Sequence, residues 1–93
     1  MTYDIQPYTF NKAKELGVQV KPSKTGNYKL DVFNKQGELL SRVGDKRYKD
    51  YPTFLKQDGK TFADKRRTAY KQRHEKDRKE KGSRGYFADQ LLW

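Results

Sequence analysis

Two periods of apolar residues divide the chain into a strand-forming part and a helix-forming part. Residues 28–33 read YKLDVF, in which apolar and charged side chains alternate, as they do in a half-buried strand. Residues 34–37 read NKQG, which is typical of a type I turn that closes through a left-handed glycine, and residues 38–43 (ELLSRV) alternate again. The valines of residues 17–22 (GVQVKP) add a further strand. The pattern predicts a three-stranded antiparallel meander.

Helical spacing predicts two short helices, one on each side of these strands. Residues 9–17 read TFNKAKELG, in which Thr9 is a candidate N-cap and Gly17 is a candidate stop signal. Residues 52–59 read PTFLKQDG, which begins with the proline favoured in a first helical turn and ends at Gly59.

A long basic helix is predicted from Thr61 to Gly82. Thr61 and Asp64 have the spacing of a capping box, and few of the residues that follow are apolar. Opposite charges recur four positions apart, in the ladders Lys71–Glu75–Lys79 and Arg73–Asp77–Lys81 and in the pair Lys76–Glu80. Each such pair contributes only about 0.2–0.5 kcal/mol, so this helix needs apolar support from elsewhere in the chain.

Residues 85–93 (GYFADQLLW) hold the densest apolar cluster of the sequence. Their large side chains cover almost every side of a two-turn helix, which is the pattern of a buried segment. The preceding GSRG, residues 82–85, supplies a turn that lets the segment fold back. We therefore expect a core that includes Phe62, His74, Tyr86, Phe87, Leu91, Leu92 and Trp93. The alternative is an exposed apolar motif that binds a partner.

Together these elements predict an α+β fold in a single small basic domain, residues 1–93. It has a short N-terminal helix, a three-stranded antiparallel sheet (β-rich part about 17–44) and a helical part (about 52–93) made of the basic helix and a short docked apolar helix. Leu, Ile, Val and Phe supply only 17 of 93 residues, below the roughly 20% at which a charged chain is suspected of disorder. Seven Tyr and one Trp compensate, because aromatic side chains bury a large area each.

The charge balance predicts a polyanionic partner. The chain carries 22 Lys and Arg against 12 Asp and Glu, a net charge of +10, which favours nucleic acid, anionic lipid or an acidic protein face. The absence of Cys excludes disulfides and thiolate metal sites and fits a reducing compartment. The first residues lack the apolar core of a signal peptide, and no apolar run approaches 18 residues, so we expect neither secretion nor a membrane span.

Basic residues interleaved with tyrosine form the candidate binding site. The segments KRYKDY (46–51), KRR (65–67) and YKQR (70–73) combine phosphate-neutralising cations with rings that can stack on bases. The candidate residues are Lys46, Arg47, Tyr48, Lys65, Arg66, Arg67, Tyr70, Lys71 and Arg73. The competing interpretation is a solvated face that only keeps the protein soluble, but a charge of +10 exceeds what solubility requires.

No catalytic constellation is evident, so we expect a non-enzymatic protein without a cofactor or a metal. His74 and Asp77 could share a metal, yet the sequence HEKDR lacks the second His of a zinc-protease motif. We expect His74 to pack against the aromatic residues near the C-terminus or to pair with a carboxylate. Asp31, Glu38 and Lys46 are a candidate acid–acid–Lys set for a metal-dependent nuclease, but their spacing is not diagnostic.

Nearly the whole chain resembles a family of small basic proteins encoded by giant nucleocytoplasmic large DNA viruses of algae and protists. The most specific parts are DYPTFLK (50–56), the spacing of Tyr70, Arg73, His74 and Asp77, and GYFADQLLW (85–93). The resemblance carries over no catalytic residues. It implies a viral setting, in the virion or inside the host cell in its cytoplasm or virus factory.

Two kinds of partner follow from the charge and the resemblance. As a virion-associated nucleic-acid-binding protein, the chain would contact DNA, ahead of RNA, through the basic helix face. As a minor capsid or cement protein, it would meet acidic capsid surfaces and insert exposed aromatic rings, namely Tyr3, Tyr8 and Tyr48. A metal-dependent nuclease is a distant third, and the sequence leaves the oligomeric state open.

Overall fold

The computed structural model describes residues 3–93 and has the predicted α+β architecture. Residues 1 and 2, where the predicted domain begins, lie outside the described part. The elements in chain order are α1 (Pro7–Leu16), β1 (Gln19–Pro22), β2 (Tyr28–Phe33), β3 (Leu39–Asp45), α2 (Tyr51–Asp58), α3 (Lys60–Arg73), a single 3-10 turn (Asp77–Lys79) and α4 (Arg84–Leu92).

The sheet is the predicted antiparallel meander, with strand order β1-β2-β3. Val32 of β2 pairs with Val20 of β1, and Leu30 pairs with Val43 of β3. Leu30, Val32 and Val43 are fully buried, so the alternation places one face of the sheet in the core. Between β2 and β3, the Asn34 side chain accepts hydrogen bonds from two backbone N–H groups of the turn, which closes the hairpin.

Helix α1 begins earlier than predicted, and Thr9 is not its N-cap. The helix starts at Pro7 after Gln6, whose side chain makes no capping hydrogen bond. Thr9 lies fully buried inside the helix. Gly17 ends the helix with φ +73°, as predicted, because glycine adopts the left-handed conformation without steric cost.

Helix α3 ends at Arg73, so the predicted continuous helix to Gly82 is wrong. Its N-cap position is Gly59, and Thr61 makes no capping bond. Eight further helical residues would have carried the chain about 12 Å onward. The chain instead turns after His74, and Gly85 of α4 packs so closely on Asp77 that an added Cβ would lie 2.9 Å from the Asp77 Cβ. Tertiary contact thus replaces the last two predicted helical turns.

The charge ladders form only in part. Lys79 and Arg78 both pair with Glu75. Lys71 lies instead 2.9 Å from the buried carboxylate of Asp89 in α4. A local Lys71–Glu75 pair would contribute only a few tenths of a kcal/mol. Lys71 pairs instead with Asp89, because a buried carboxylate without a counter-charge is costly.

Helix α4 packs on the sheet, as predicted, and completes the core. Leu91 and Leu92 are at most 1% exposed and join Phe87 against the buried strand residues. Tyr86 and Trp93 are partly buried beside this cluster. Phe62 is 45% exposed, so its assignment to the core is wrong, although its ring contacts Phe54 at a centroid distance of 5.6 Å.

Hydroxyl groups of α1 hold the C-terminal end of α4. The Thr9 hydroxyl donates to the carbonyl of Leu91 at 2.9 Å, and the Tyr8 hydroxyl donates to the carbonyl of Trp93 at 3.2 Å. The last carbonyls of a helix have no partner within it. Helix α1 therefore supplies bonds that α4 cannot make for itself.

A buried ion pair joins the sheet to the helical part. Lys29 of β2 lies 2.8 Å from Asp50, with side chains 5% and 0% exposed. Asp50 also accepts from the Tyr3 hydroxyl at 2.6 Å and caps α2 through the backbone N–H of Thr53 at 3.0 Å. Burial, followed by the Asp50 charge, raises the pKa of Tyr3 above its usual range. Strand alternation predicted a solvated Lys29, but the N-terminus of α2 covers this position.

Substituting Gly44 by Ala should destabilise the fold more than the same change at Gly37. Both glycines have positive φ, +80° and +85°, and an alanine there costs about 1–2 kcal/mol. At Gly44 the added Cβ would also lie 2.7 Å from the buried Leu92 side chain, whereas at Gly37 nothing lies within 4 Å. Overpacking adds about 1–3 kcal/mol. Urea unfolding of both variants measures the difference, and equal losses would contradict this packing of α4 on β3.

Substituting Asp50 by Asn should cost roughly 3 kcal/mol of unfolding free energy, because it leaves Lys29 buried without a counter-charge. Asparagine remains a good N-cap, so the loss of the charge is isolated from the loss of the cap. Asp45→Asn is the matched control, since Asp45 pairs with an exposed arginine, Arg47, and exposed pairs contribute little. Chemical denaturation measures the free energy of unfolding of both variants. If both match wild type, the buried pair does not have this role.

Candidate nucleic-acid interface

A groove of about 760 Å³ runs between the sheet and α3, with α4 as its floor. The connector from β3 to α2 and the exposed end of β2 form one wall. The C-terminal part of α3 and the turn that follows it form the other. The lining residues are Tyr28, Lys29, Gly44, Asp45, Tyr48, Lys49, Phe54, Arg66, Tyr70, Arg73, His74, Asp77, Glu80, Ser83, Arg84, Gly85, Ala88, Leu92 and Trp93.

The helical spacing of α3 places part of the predicted site in this groove. Arg66, Tyr70 and Arg73 follow one another at intervals of four and three residues, so they share one helical face. All three line the groove, and Tyr48 lines it from the opposite wall. Four of the predicted site residues therefore lie around one groove.

Tyr70 belongs to an internal aromatic stack. The Trp93 ring lies 4.2 Å from the Tyr70 ring at an interplanar angle of 5°, and the His74 ring lies 4.3 Å from it at 29°. Two rings this close and nearly parallel must occupy opposite faces of the phenol. Burial raises the pKa of Tyr70 to about 12. Tyr70 has no open face for a base, so its expected stacking role is wrong. His74 packs on Tyr70 and not on the aromatic residues near the C-terminus, and its Nδ1 lies 3.9 Å from the Asp77 carboxylate.

Tyr48 is the open aromatic side chain of the groove. It is 69% exposed, and the Arg47 guanidinium lies 6.0 Å from its ring centroid. It precedes α2 in the connector and makes no contribution to the core clusters. An aromatic ring this exposed beside a concave surface is available to a ligand.

Three arginines of the groove form no ion pair within the described part of the chain. Among residues 3–93, no carboxylate lies within ion-pair distance of Arg66, Arg73 or Arg84. Arg66 lies instead 5.5 Å from the Phe54 ring centroid, and Arg84 lies 5.0 Å from that of Tyr28. These contacts orient the guanidinium groups and leave their charge in place.

The remaining predicted cations lie outside the groove lining, and most are engaged elsewhere. Arg47 pairs with Asp45 at 2.7 Å, and Arg67 pairs with Asp64 at 3.4 Å while lying 4.0 Å from the Tyr51 ring centroid. Lys71 pairs with Asp89. The Lys46 ammonium donates to the carbonyl of Ser23 at 3.4 Å. Lys65 is exposed on α3.

Three cations of the groove were not among the predicted site residues: Lys29, which is paired with Asp50, Lys49 and Arg84. Lys49 lies in the KRYKDY segment, and its ammonium is 5.8 Å from the Phe54 centroid and 3.9 Å from Asp58. Arg84 opens α4 in the sequence GSRG. The basic segment could have indicated Lys49. Arg84 follows only from the packing of α4 across the sheet.

Two of the three carboxylates that line the groove lie at one end of it. Asp77 and Glu80 line it in the turn after α3, and an Asp77 oxygen lies 3.9 Å from Nδ1 of His74. Asp45, at the sheet wall, is held by hydrogen bonds from Arg47 that lower its pKa to about 2, so it is charged but paired. The end formed by Lys49, Phe54 and Arg66 is cationic.

The residues considered for metal or nuclease chemistry do not gather at one point. Residues 3–93 contain no group of three His, Asp or Glu side chains able to hold a metal. Asp31 faces Arg42 at 3.4 Å, and Glu38 accepts from Asn34 in the hairpin turn. Within the same residues, every helix is too short or too polar to cross a bilayer.

Tyr70→Ala should lower the free energy of unfolding by about 1–3 kcal/mol, because it removes the ring between Trp93 and His74. Tyr48→Ala should change it by less than about 0.5 kcal/mol, since that ring is mostly in solvent. Thermal and urea denaturation of the two variants test whether Tyr70 stabilises the fold and Tyr48 does not. A costly Tyr48→Ala, or a neutral Tyr70→Ala, would contradict it.

No protein-family model, no curated protein sequence and no solved structure matches this chain. What the groove binds is therefore inferred from its own side chains.

Proposed function

We propose that this is a non-enzymatic nucleic-acid-binding protein that contacts DNA, ahead of RNA, through the groove between the sheet and α3. One observation carries the proposal: Arg66, Arg73 and Arg84 line a single concave surface, and none of them forms an ion pair within residues 3–93. Guanidinium groups match phosphate oxygens in charge and geometry, so a phosphodiester backbone is the ligand that completes this surface.

The distribution of charge gives the ligand a preferred path. Asp77 and Glu80 would repel a phosphate at their end of the groove, whereas Lys49 and Arg66 flank Phe54 at the other. The backbone is therefore expected along the Lys49–Arg66 end and past Arg73. The paired cations Arg47, Arg67 and Lys71 contribute to the overall field more than to direct contacts.

The aromatic side chains favour nucleic acid over a capsid surface as the partner. Insertion into capsid pockets required Tyr3, Tyr8 and Tyr48 to be exposed. The Tyr3 hydroxyl is bound to Asp50, and the Tyr8 ring packs 5.4 Å from that of Tyr51, so only Tyr48 of the three is exposed. The resemblance to proteins of giant DNA viruses supports a virion or virus-factory setting for the same activity.

Arg66→Gln combined with Arg73→Gln should weaken DNA binding and reduce its salt dependence. Each lost phosphate contact lowers the slope of log K against log salt by about 0.9 on duplex and about 0.7 on a single strand. The pair should therefore remove roughly 1.4–1.8 from the slope. Fluorescence anisotropy with labelled DNA between low and physiological salt measures it.

The control removes the same charge from another part of the surface. Lys60→Gln with Lys79→Gln also lowers the net charge from +10 to +8, but both lysines are exposed and paired with carboxylates, Asp64 and Glu75. This double variant should keep most of the affinity. Equal losses in the two double variants would mean that net charge, not the groove, binds DNA, and a salt-independent affinity would overturn the proposal altogether.

A further inference from the structure

The groove combines a cationic end with partly apolar lining residues. A volume of about 760 Å³ lies within the range of pockets that enclose small organic ligands. Ala88 and Trp93 are partly exposed on its floor, whereas Leu92 and Phe54 behind the lining are 1% and 8% exposed. Phosphate contacts alone would leave this apolar part of the lining without a partner, and an apolar part of the same ligand would cover it.

We propose that the groove takes an unpaired base of single-stranded DNA, with Tyr48 stacking on that base and Lys49 and Arg66 holding the adjacent phosphates. This inference rests on the proposed function and narrows it to the single-stranded form. A base is flat and apolar on its faces and is joined to an anionic backbone, which matches an apolar floor with a cationic end.

Tyr48 is the most exposed ring of the groove. Tyr70 has Trp93 on one face and His74 on the other. Phe54 is flanked by Lys49 and Arg66. Tyr48 is 69% exposed at the groove wall and can lie over a base without disturbing the core.

Duplex DNA cannot fill the groove in this way. Its bases are paired and stacked inside the helix, and bringing one out costs a few kcal/mol. A single strand presents its bases at little cost, and stacking on an aromatic side chain is tolerant of sequence. The groove should therefore favour single strands, with little preference among bases.

The test uses three ten-nucleotide DNA probes with the full chain: a mixed-sequence single strand, the same strand with abasic sites throughout, and the blunt duplex. Trp93 is the only tryptophan of the sequence and lines the groove, so its fluorescence reports occupation of the site. The base-bearing single strand should bind most tightly and change the Trp93 emission. The abasic strand and the duplex should bind more weakly and leave the emission near that of the unbound protein.

The probes separate failure of this inference from failure of the proposed function. If the abasic strand or the duplex binds as tightly as the base-bearing strand, the groove binds phosphates without contacting a base. The base site is then refuted, and the proposed function stands. If none of the three binds at low salt, the proposed function is refuted, and the base site with it.

Tyr48→Ala provides the second measurement. It should lower the affinity for the base-bearing strand about 5- to 100-fold and leave the affinity for the abasic strand unchanged. Tyr48→Phe keeps the ring and should retain the wild-type affinity. An equal loss on both strands, or no loss on either, would overturn the stacking role of Tyr48.

Discussion

The packing of α4 against the sheet is the contact on which the rest of the molecule depends. Leu91 and Leu92 fill the centre of the core, and the glycine at position 44 lets α4 approach β3 more closely than any side chain there would allow. The carbonyls of Leu91 and Trp93 accept hydrogen bonds from the hydroxyls of Thr9 and Tyr8. One short helix thus connects α1, the sheet and α3, in a chain with few other large apolar residues to bury.

Two buried carboxylates fix the directions of the elements around α4. Asp50 binds Lys29 of the sheet and caps α2, and Asp89 of α4 binds Lys71 of α3. Buried pairs contribute little net stability compared with apolar residues, but breaking one is costly. They therefore serve mainly to exclude other arrangements of the helices. Each pair also engages a lysine, so the charges of Lys29 and Lys71 contribute to the fold.

The strands and the short helices were predictable because their signals are local. Alternation in residues 28–33 and 38–43 and the stop at Gly17 each depend on near neighbours. The end of α3 was not predictable, because weak charge pairs along a helix cannot outweigh the closure of Gly85 on Asp77. The groove was predictable on its α3 wall and at Tyr48. Arg84 reaches it through tertiary packing, and the carboxylates Asp64 and Asp89 decide which predicted cations are neutralised.

The groove and the core share the same side chains, which ties binding to folding. Trp93 contributes to the groove floor and stacks on Tyr70, whose helix carries Arg66 and Arg73. Without α4 in place, the floor would be missing and the arginines would lie on an unsupported helix. A ligand that fills the groove must therefore favour the packed state of α4, since it binds only the conformation in which the site exists. The contacts that stabilise the small core therefore also shape the cationic groove that a ligand would enter.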